Sequence, residues 1–248
     1  MKNFELISFD NAGELAARVA SLWLDEIESA HRAGKTHSVA LSGGRIMQKF
    51  FAATVEHAGF RQIGDGDTPS LPMNVHFFWA DERCVPPTDP ESNFKLASEL
   101  LFAPLKIPAS QIHRIRGEDS PQVAAKFAEE ELRHIVSANK NRQPVLNLIF
   151  LGVGEDGHVA SQFPNALAES LNCTDPFLAV ENSPKPPPNR VSLSYTAIAA
   201  AKQVWVLVSG AGKEAALHES VKPDGTTPLA RVVRSRHRTI IFSDIWAV

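Results

Sequence analysis

Five short apolar runs, at residues 38–41, 75–79, 146–151, 204–208 and 239–242, constrain this chain more than any other feature. Runs of this length that lack polar alternation suit strands covered on both faces. The segments between them carry a different period. Leu15, Val19, Leu22 and Ile27 recur at near-helical spacing behind Asn11, a residue suited to cap a helix. Residues 46–57 read as a helix, and Ser92 caps another that carries Phe94, Leu96 and Leu100. Ser120-Pro121 opens a further helix, with Val123, Phe127, Leu132 and Ile135 on its inner face. Strands alternating with helices predict an α/β fold: a mostly parallel sheet flanked by helices on both faces, Rossmann-like in layout.

Residues 64–72, rich in Gly, Asp and Pro, read as a surface loop. Residues 184–188 form a stiff extended loop too short to link domains. With no internal repeat, a single domain over residues 1–248 is expected. An apolar share of 44% against 21% charged supplies a sizeable core and argues against disorder. The net charge of −3 provides no overall field for nucleic acid or an anionic membrane, so an anion site must come from local cations. Cys84 and Cys173 are too few for a disulfide framework or a cysteine-rich metal site. The first residues lack the apolar core of a signal peptide, and no run is long enough to span a bilayer. The expected setting is the cytoplasm, as a monomer or small homo-oligomer.

In open α/β sheets, ligands sit beyond the carboxyl ends of the strands. Polar residues gather at four such places. Ser42-Gly43-Gly44-Arg45 follows the first run and reads as an anion cradle, because two glycines before a helix let backbone N–H groups turn toward a phosphate. Arg45 strengthens that reading over an ordinary tight turn, since a guanidinium grips phosphate with paired hydrogen bonds. Asp81-Glu82-Arg83 follows the second, with Ser92-Asn93 downstream. A solvated charge run is the usual fate of such a triplet, but its apolar flanks put it near a buried sheet end. Arg83 is a phosphate-binding candidate there, and Asp81 the partner that orients neighbouring groups. Ser209-Gly210-Ala211-Gly212-Lys213 follows the fourth, where Lys213 is either a point charge on a phosphate or an exposed lysine at a helix start.

The third place, residues 152–158, matches G-x-G-x-x-G and invites a dinucleotide reading. That reading fails. Pro164 interrupts the helix that should follow, and Asp156 would repel a pyrophosphate. The better candidate is His158, an imidazole titrating near neutral pH in a glycine-rich turn beside Asp156. Elsewhere Leu207 breaks a P-loop pattern before Lys213, and Lys222 stands where an H-E-x-x-H zinc motif begun at His218 needs a histidine. No G-x-S-x-G nucleophile elbow occurs. General acid/base chemistry without metal or cofactor is the expectation.

Taken together, these segments resemble the 6-phosphogluconolactonase family. The resemblance rests on residues 78–85 with Ser92-Asn93, on residues 151–164, on Asn189-Arg190-Val191-Ser192-Leu193 and on the turn at 210–213, in family order across nearly the whole chain. Glucosamine-6-phosphate deaminases share Asp-Gly-His but continue toward Asn-Glu-Pro, which Ser161-Gln162-Phe163-Pro164 lacks. The first loop departs from the family's Ser-Gly-Gly-Ser-Thr-Pro, with Arg45-Ile46-Met47 after the glycines. The resemblance implies hydrolysis of 6-phospho-D-glucono-1,5-lactone, with His158 as base and Asp156 orienting it. It also implies that Arg83, Lys213, Asn93, Arg190 and the Ser42–Arg45 loop hold the phosphorylated sugar. A sugar-phosphate isomerase or deaminase on the same scaffold, and a sugar-phosphate sensor without turnover, are the rival readings.

Overall fold

Central strands that are apolar on both faces must be covered on both, and that requirement shapes the molecule. The computed structural model describes residues 3–61, 71–72 and 74–245. The strands are β1 (Phe4–Ser8), β2 (His37–Leu41), β3 (Val75–Trp79), β4 (Asp81–Arg83), β5 (Leu148–Gly152), β6 (Phe177–Val180), β7 (Arg190–Leu193), β8 (Gln203–Val208) and β9 (Thr239–Ser243). The α-helices are α1 (Ala12–Arg32), α2 (Arg45–Arg61), α3 (Asn93–Ala97), α4 (Pro121–Ile135), α5 (Ala168–Leu171), α6 (Tyr195–Ala200), α7 (Glu214–Ser220) and α8 (Pro228–Arg234).

The large sheet has six strands in the order β1-β9-β8-β5-β2-β3, and every pairing in it is parallel. From β2 the chain moves outward to β3, whereas from β5 it moves the other way to β8 and β9. The order therefore reverses between β2 and β5, and a crevice at their carboxyl ends is the ligand position such sheets provide. The pairing is looser there. β2 and β5 share only the Val39–Leu148 and Ala40–Ile149 partners, while β5 and β8 are in register from Leu148–Gln203 to Gly152–Leu207.

Asn11 caps α1 by accepting from the N–H groups of Gly13 and Glu14. Trp23 of that helix packs against Phe50 of α2, Phe77 of β3 and Phe150 of β5, with ring centroids 5.5, 6.2 and 5.5 Å away. Rings of this size bury the most apolar area per residue, so the cluster ties the α1–α2 layer to the sheet.

Three expectations need correction. Asp81–Arg83, expected only as a polar cluster following a strand, is itself β4, paired antiparallel with β7, which in turn pairs with β6 to form a second sheet of three strands. On α4 the buried positions are Pro121, Ala124, Ala125, Ala128 and Leu132, whereas Val123 is 56% exposed. Phe127 and Ile135 are only half-buried, and the Arg116 guanidinium lies 3.5 Å from the Phe127 ring centroid. Small alanines let α4 approach the second sheet closely, which turned its face away from the larger side chains. The helix capped by Ser92 also changes character, because Ser98–Phe102 continues α3 as a π-helical turn that contains Leu100. Of the expected loop at 64–72, residues 64–70 lie outside the described residues.

Candidate active site

The switch point between β2 and β5 opens into a cavity of about 270 Å³. It is lined by the loop Ser42-Gly43-Gly44-Arg45 after β2, by Asp81 and Arg83 of β4, and by Asn93. Gly154 and His158 after β5, Arg190 of β7 and Lys213 at the start of α7 complete the ring of polar groups. Ten of the eleven residues singled out from the sequence thus face one space, and the eleventh, Asp156, stands directly behind His158.

The turn from Gly154 to His158 builds the corner that holds the imidazole and its carboxylate. Its N–H and carbonyl groups pair Gly154 with His158 (2.9 Å) and Gly157 with Gly154 (2.9 Å), closing a tight loop. That closure sets His158 Nδ1 2.5 Å from Asp156 Oδ1. The carboxylate accepts the Nδ1 proton, which leaves Nε2 as the basic nitrogen. Burial lowers the affinity of His158 for a proton, outweighing the pull of Asp156 in the other direction, so the imidazole titrates below its usual range. Burial alone would raise Asp156, but the hydrogen bond and charge of His158, with Lys185 beyond, hold its carboxyl below the usual value. The Phe163 ring packs against the imidazole with centroids 4.7 Å apart, and helps keep it in place.

The cationic side of the cavity is built differently. Gly44 adopts φ +100°, a conformation that a side chain resists, and so turns the chain into α2. The first N–H groups of a helix lack intrahelical partners, and the residues at this helix start, Arg45 and Ile46, line the cavity together with Gly44. Lys213 is held below its ordinary pKa first by burial and then by the charge of Arg45. Two cations that repel one another across a cavity form a place that favours an anion between them.

Several predicted residues have their polar atoms engaged within the protein. The Ser42 hydroxyl donates to the Phe150 carbonyl (2.8 Å) and bridges β2 to β5. Asp81 accepts from the Ser161 hydroxyl (2.6 Å) and from the Asn93 amide (3.3 Å), with Arg190 Nη1 4.0 Å away. Arg83 Nη1 donates to the Glu91 carbonyl (2.8 Å) while the side chain still borders the cavity. Arg190 is 3% exposed, and its Nε and Nη2 donate to the carbonyls of Lys185, Pro186 and Pro187. Beneath them, buried Glu82 accepts from the N–H groups of Arg83, Asn93 and Phe94 and from the Ser92 hydroxyl, which locks β4 to α3. Sequence reasoning passed over Glu82 as one charge in a triplet. It also passed over Lys185, whose ammonium lies 3.5 Å from Asp156 Oδ1, because nothing local links residues 156 and 185. Among the described residues, no group of three His, Cys, Asp or Glu side chains is arranged to hold a metal ion.

An open parallel sheet with a cation-rich crevice and an imidazole–carboxylate pair at its switch point defines an α/β protein with a site for a small polar ligand. The chain belongs to the glucosamine-6-phosphate isomerases/6-phosphogluconolactonase family, whose model matches residues 10–242. It is 38% identical over 182 residues to 6-phosphogluconolactonase of Haemophilus influenzae, covering 73% of this chain and 72% of that one. It is 34% identical over 214 residues to 6-phosphogluconolactonase of Aggregatibacter actinomycetemcomitans, covering 86% and 84%. Among solved structures, 6-phosphogluconolactonase of Thermotoga maritima superimposes with a TM-score of 0.77 at 26% identity, covering 97% of this chain and 98% of that one. Among the described residues no helix is long and apolar enough to cross a membrane.

Proposed function

We propose that the chain hydrolyses 6-phospho-D-glucono-1,5-lactone to 6-phosphogluconate. The observation that carries this reading is that His158, backed by Asp156, borders the same cavity as Gly43, Gly44, Arg45 and Lys213. Phosphate held by Arg45, Lys213 and the open amides of the first loop anchors one end of the sugar. That anchoring sets the lactone carbonyl near the imidazole, and binding energy from the phosphate is used to orient a remote reacting centre. His158 Nε2 removes a proton from water as the water oxygen bonds to the carbonyl carbon. The same proton passes to the ring oxygen as the carbon–oxygen ring bond breaks, leaving the free acid, which ionises. Backbone N–H groups of the glycine turns are the donors for the developing oxyanion. Asp156 steadies the transient imidazolium.

The reading treats residues 1–248 as one working domain, in keeping with a cavity lined by residues spread from Ser42 to Lys213. The cytoplasm is the proposed location, in keeping with the free thiols of Cys84 and Cys173. The test is hydrolysis of freshly generated 6-phosphogluconolactone, followed by base uptake at constant pH, for the wild type and His158→Ala. Rapid hydrolysis that disappears in the variant supports the reading, and a variant with wild-type kcat removes His158 from the chemistry. Ammonia release from glucosamine 6-phosphate, without lactone hydrolysis, would replace this reading by the deaminase one.

A further inference from the structure

Asp156 Oδ1 is shared. His158 Nδ1 reaches it at 2.5 Å, and Lys185 Nζ reaches it at 3.5 Å from the loop between β6 and β7. That loop is held from two sides. Arg190 donates to the carbonyls of Pro187 (3.0 Å), Pro186 (2.8 Å) and Lys185 (3.1 Å). The Ser183 hydroxyl donates to the Lys185 carbonyl (2.9 Å) and accepts from the Lys185 N–H (3.3 Å). The backbone of Lys185 is therefore pinned while its side chain, 42% exposed, extends to the carboxylate behind the imidazole.

We propose that Lys185 is a positioning residue for the His158–Asp156 pair, holding the carboxylate and offsetting its charge so that the imidazole stays in its proton-accepting form. The proposal rests on the lactone-hydrolysis reading. An aspartate at hydrogen-bond distance, unopposed, favours the imidazolium, which cannot take a proton from water. The charges facing His158 are Asp156, Lys185 and, farther off, Asp81, while Phe163 contributes an uncharged ring. Asp156 and Asp81 favour the protonated ring, and Lys185 opposes them in the same direction as burial. Asp81 is in turn held by Ser161 and faced by Arg190, and Arg45 and Lys213 border the same cavity. Arg190 then acts through the loop it clamps, which accounts for a buried guanidinium whose donors point at backbone carbonyls.

Lys185→Met and Lys185→Arg test this by two readouts: the NMR titration of the His158 imidazole in substrate-free protein, and the pH profile of kcat/KM on 6-phosphogluconolactone. In Lys185→Met the imidazole midpoint and the acid limb of kcat/KM both move up by about half a pH unit or more. Lys185→Arg restores both positions. An unmoved midpoint in Lys185→Met overturns the proposal, as does an activity loss that is uniform across pH and not rescued by arginine. Because the titration needs no turnover, a shifted midpoint in a protein that never hydrolyses the lactone overturns the functional reading and leaves the Lys185 coupling standing.

Discussion

His158 Nδ1 and Asp156 Oδ1 meet at 2.5 Å with the Gly154 backbone pressed against both: a Cβ built on Gly154 would stand 2.0 Å from the imidazole nitrogen and 2.6 Å from the carboxylate oxygen. The pair is thus defined as much by an absent side chain as by the two residues that form it.

Gly154→Ala should displace His158 from Asp156, since the added carbon overlaps atoms of both side chains and one of them must shift. The expected result is a kcat lower by about 100-fold with KM little changed, because misplacing a catalytic group by about 1 Å carries such a cost. Steady-state kinetics together with thermal unfolding separate this from loss of fold, and an unchanged kcat would show that the pair tolerates the added carbon.

Asp156→Asn keeps the shape and removes the charge. kcat should fall by about 100-fold, the scale of general acid/base catalysis. In the wild type kcat/KM declines as pH falls through the His158 midpoint, which burial holds below 6.5. Asp156 opposes burial, so its loss moves that limb to still lower pH. A pH profile of kcat/KM checks the direction, and a limb that moves upward contradicts the assigned roles.

Arg45→Ala and Lys213→Ala each remove one cation from the lining of the cavity, where the proposed function puts the substrate's phosphate. Each should raise KM for the phosphorylated lactone by about tenfold or more, the worth of one charge-assisted hydrogen bond. Hydrolysis of unphosphorylated gluconolactone should be indifferent to both. Equal losses on the two substrates, measured side by side, would place these residues outside phosphate recognition.

His37 is a stability group far from this chemistry. Its Nε2 accepts from Trp23 Nε1 at 3.2 Å, and burial, then the charge of Lys202, lowers its pKa from 6.5 to about 4. Between those values the unfolded chain binds a proton that the folded protein refuses. The stabilisation is therefore complete above pH 6.5 and is lost as pH falls toward 4, at about 1.4 kcal/mol per pH unit and about 3 kcal/mol in all. Urea unfolding at several pH values checks this. His37→Gln keeps an acceptor for Trp23 and should flatten that part of the profile, and an unaltered slope would assign the acid sensitivity elsewhere.

The parallel sheet was legible because the strands of its centre are long enough to carry an unbroken apolar signature, as in residues 204–208 and 239–242. Placing the site needed only one more step, the rule that ligands lie beyond strand carboxyl ends, and it gathered Gly43, Asp81, His158 and Lys213 from segments that span about 170 residues of the chain. β4 was missed because three residues, all charged, show neither alternation nor apolar character. Their strand identity comes from pairing with Arg190, Val191 and Ser192. The exposed face of α4 was misread because helical spacing reports a stripe, and the close approach of the second sheet selected the alanines over Val123 and Phe127.

The sequence by itself determined the layered α/β class, the glycine turn that leads into the second helix, and the adjacency of Asp156 and His158, all of which follow from neighbours within a few residues. Only the tertiary structure decided which way each polar atom points. Arg190 turns its donors to the proline loop, the Ser42 hydroxyl bridges two strands, and Lys185 arrives at a carboxylate twenty-nine residues away in the chain. The physical reason is that periodicity and turn chemistry are local, whereas hydrogen-bond partners of buried groups are assigned by whichever surfaces the closed core brings within reach.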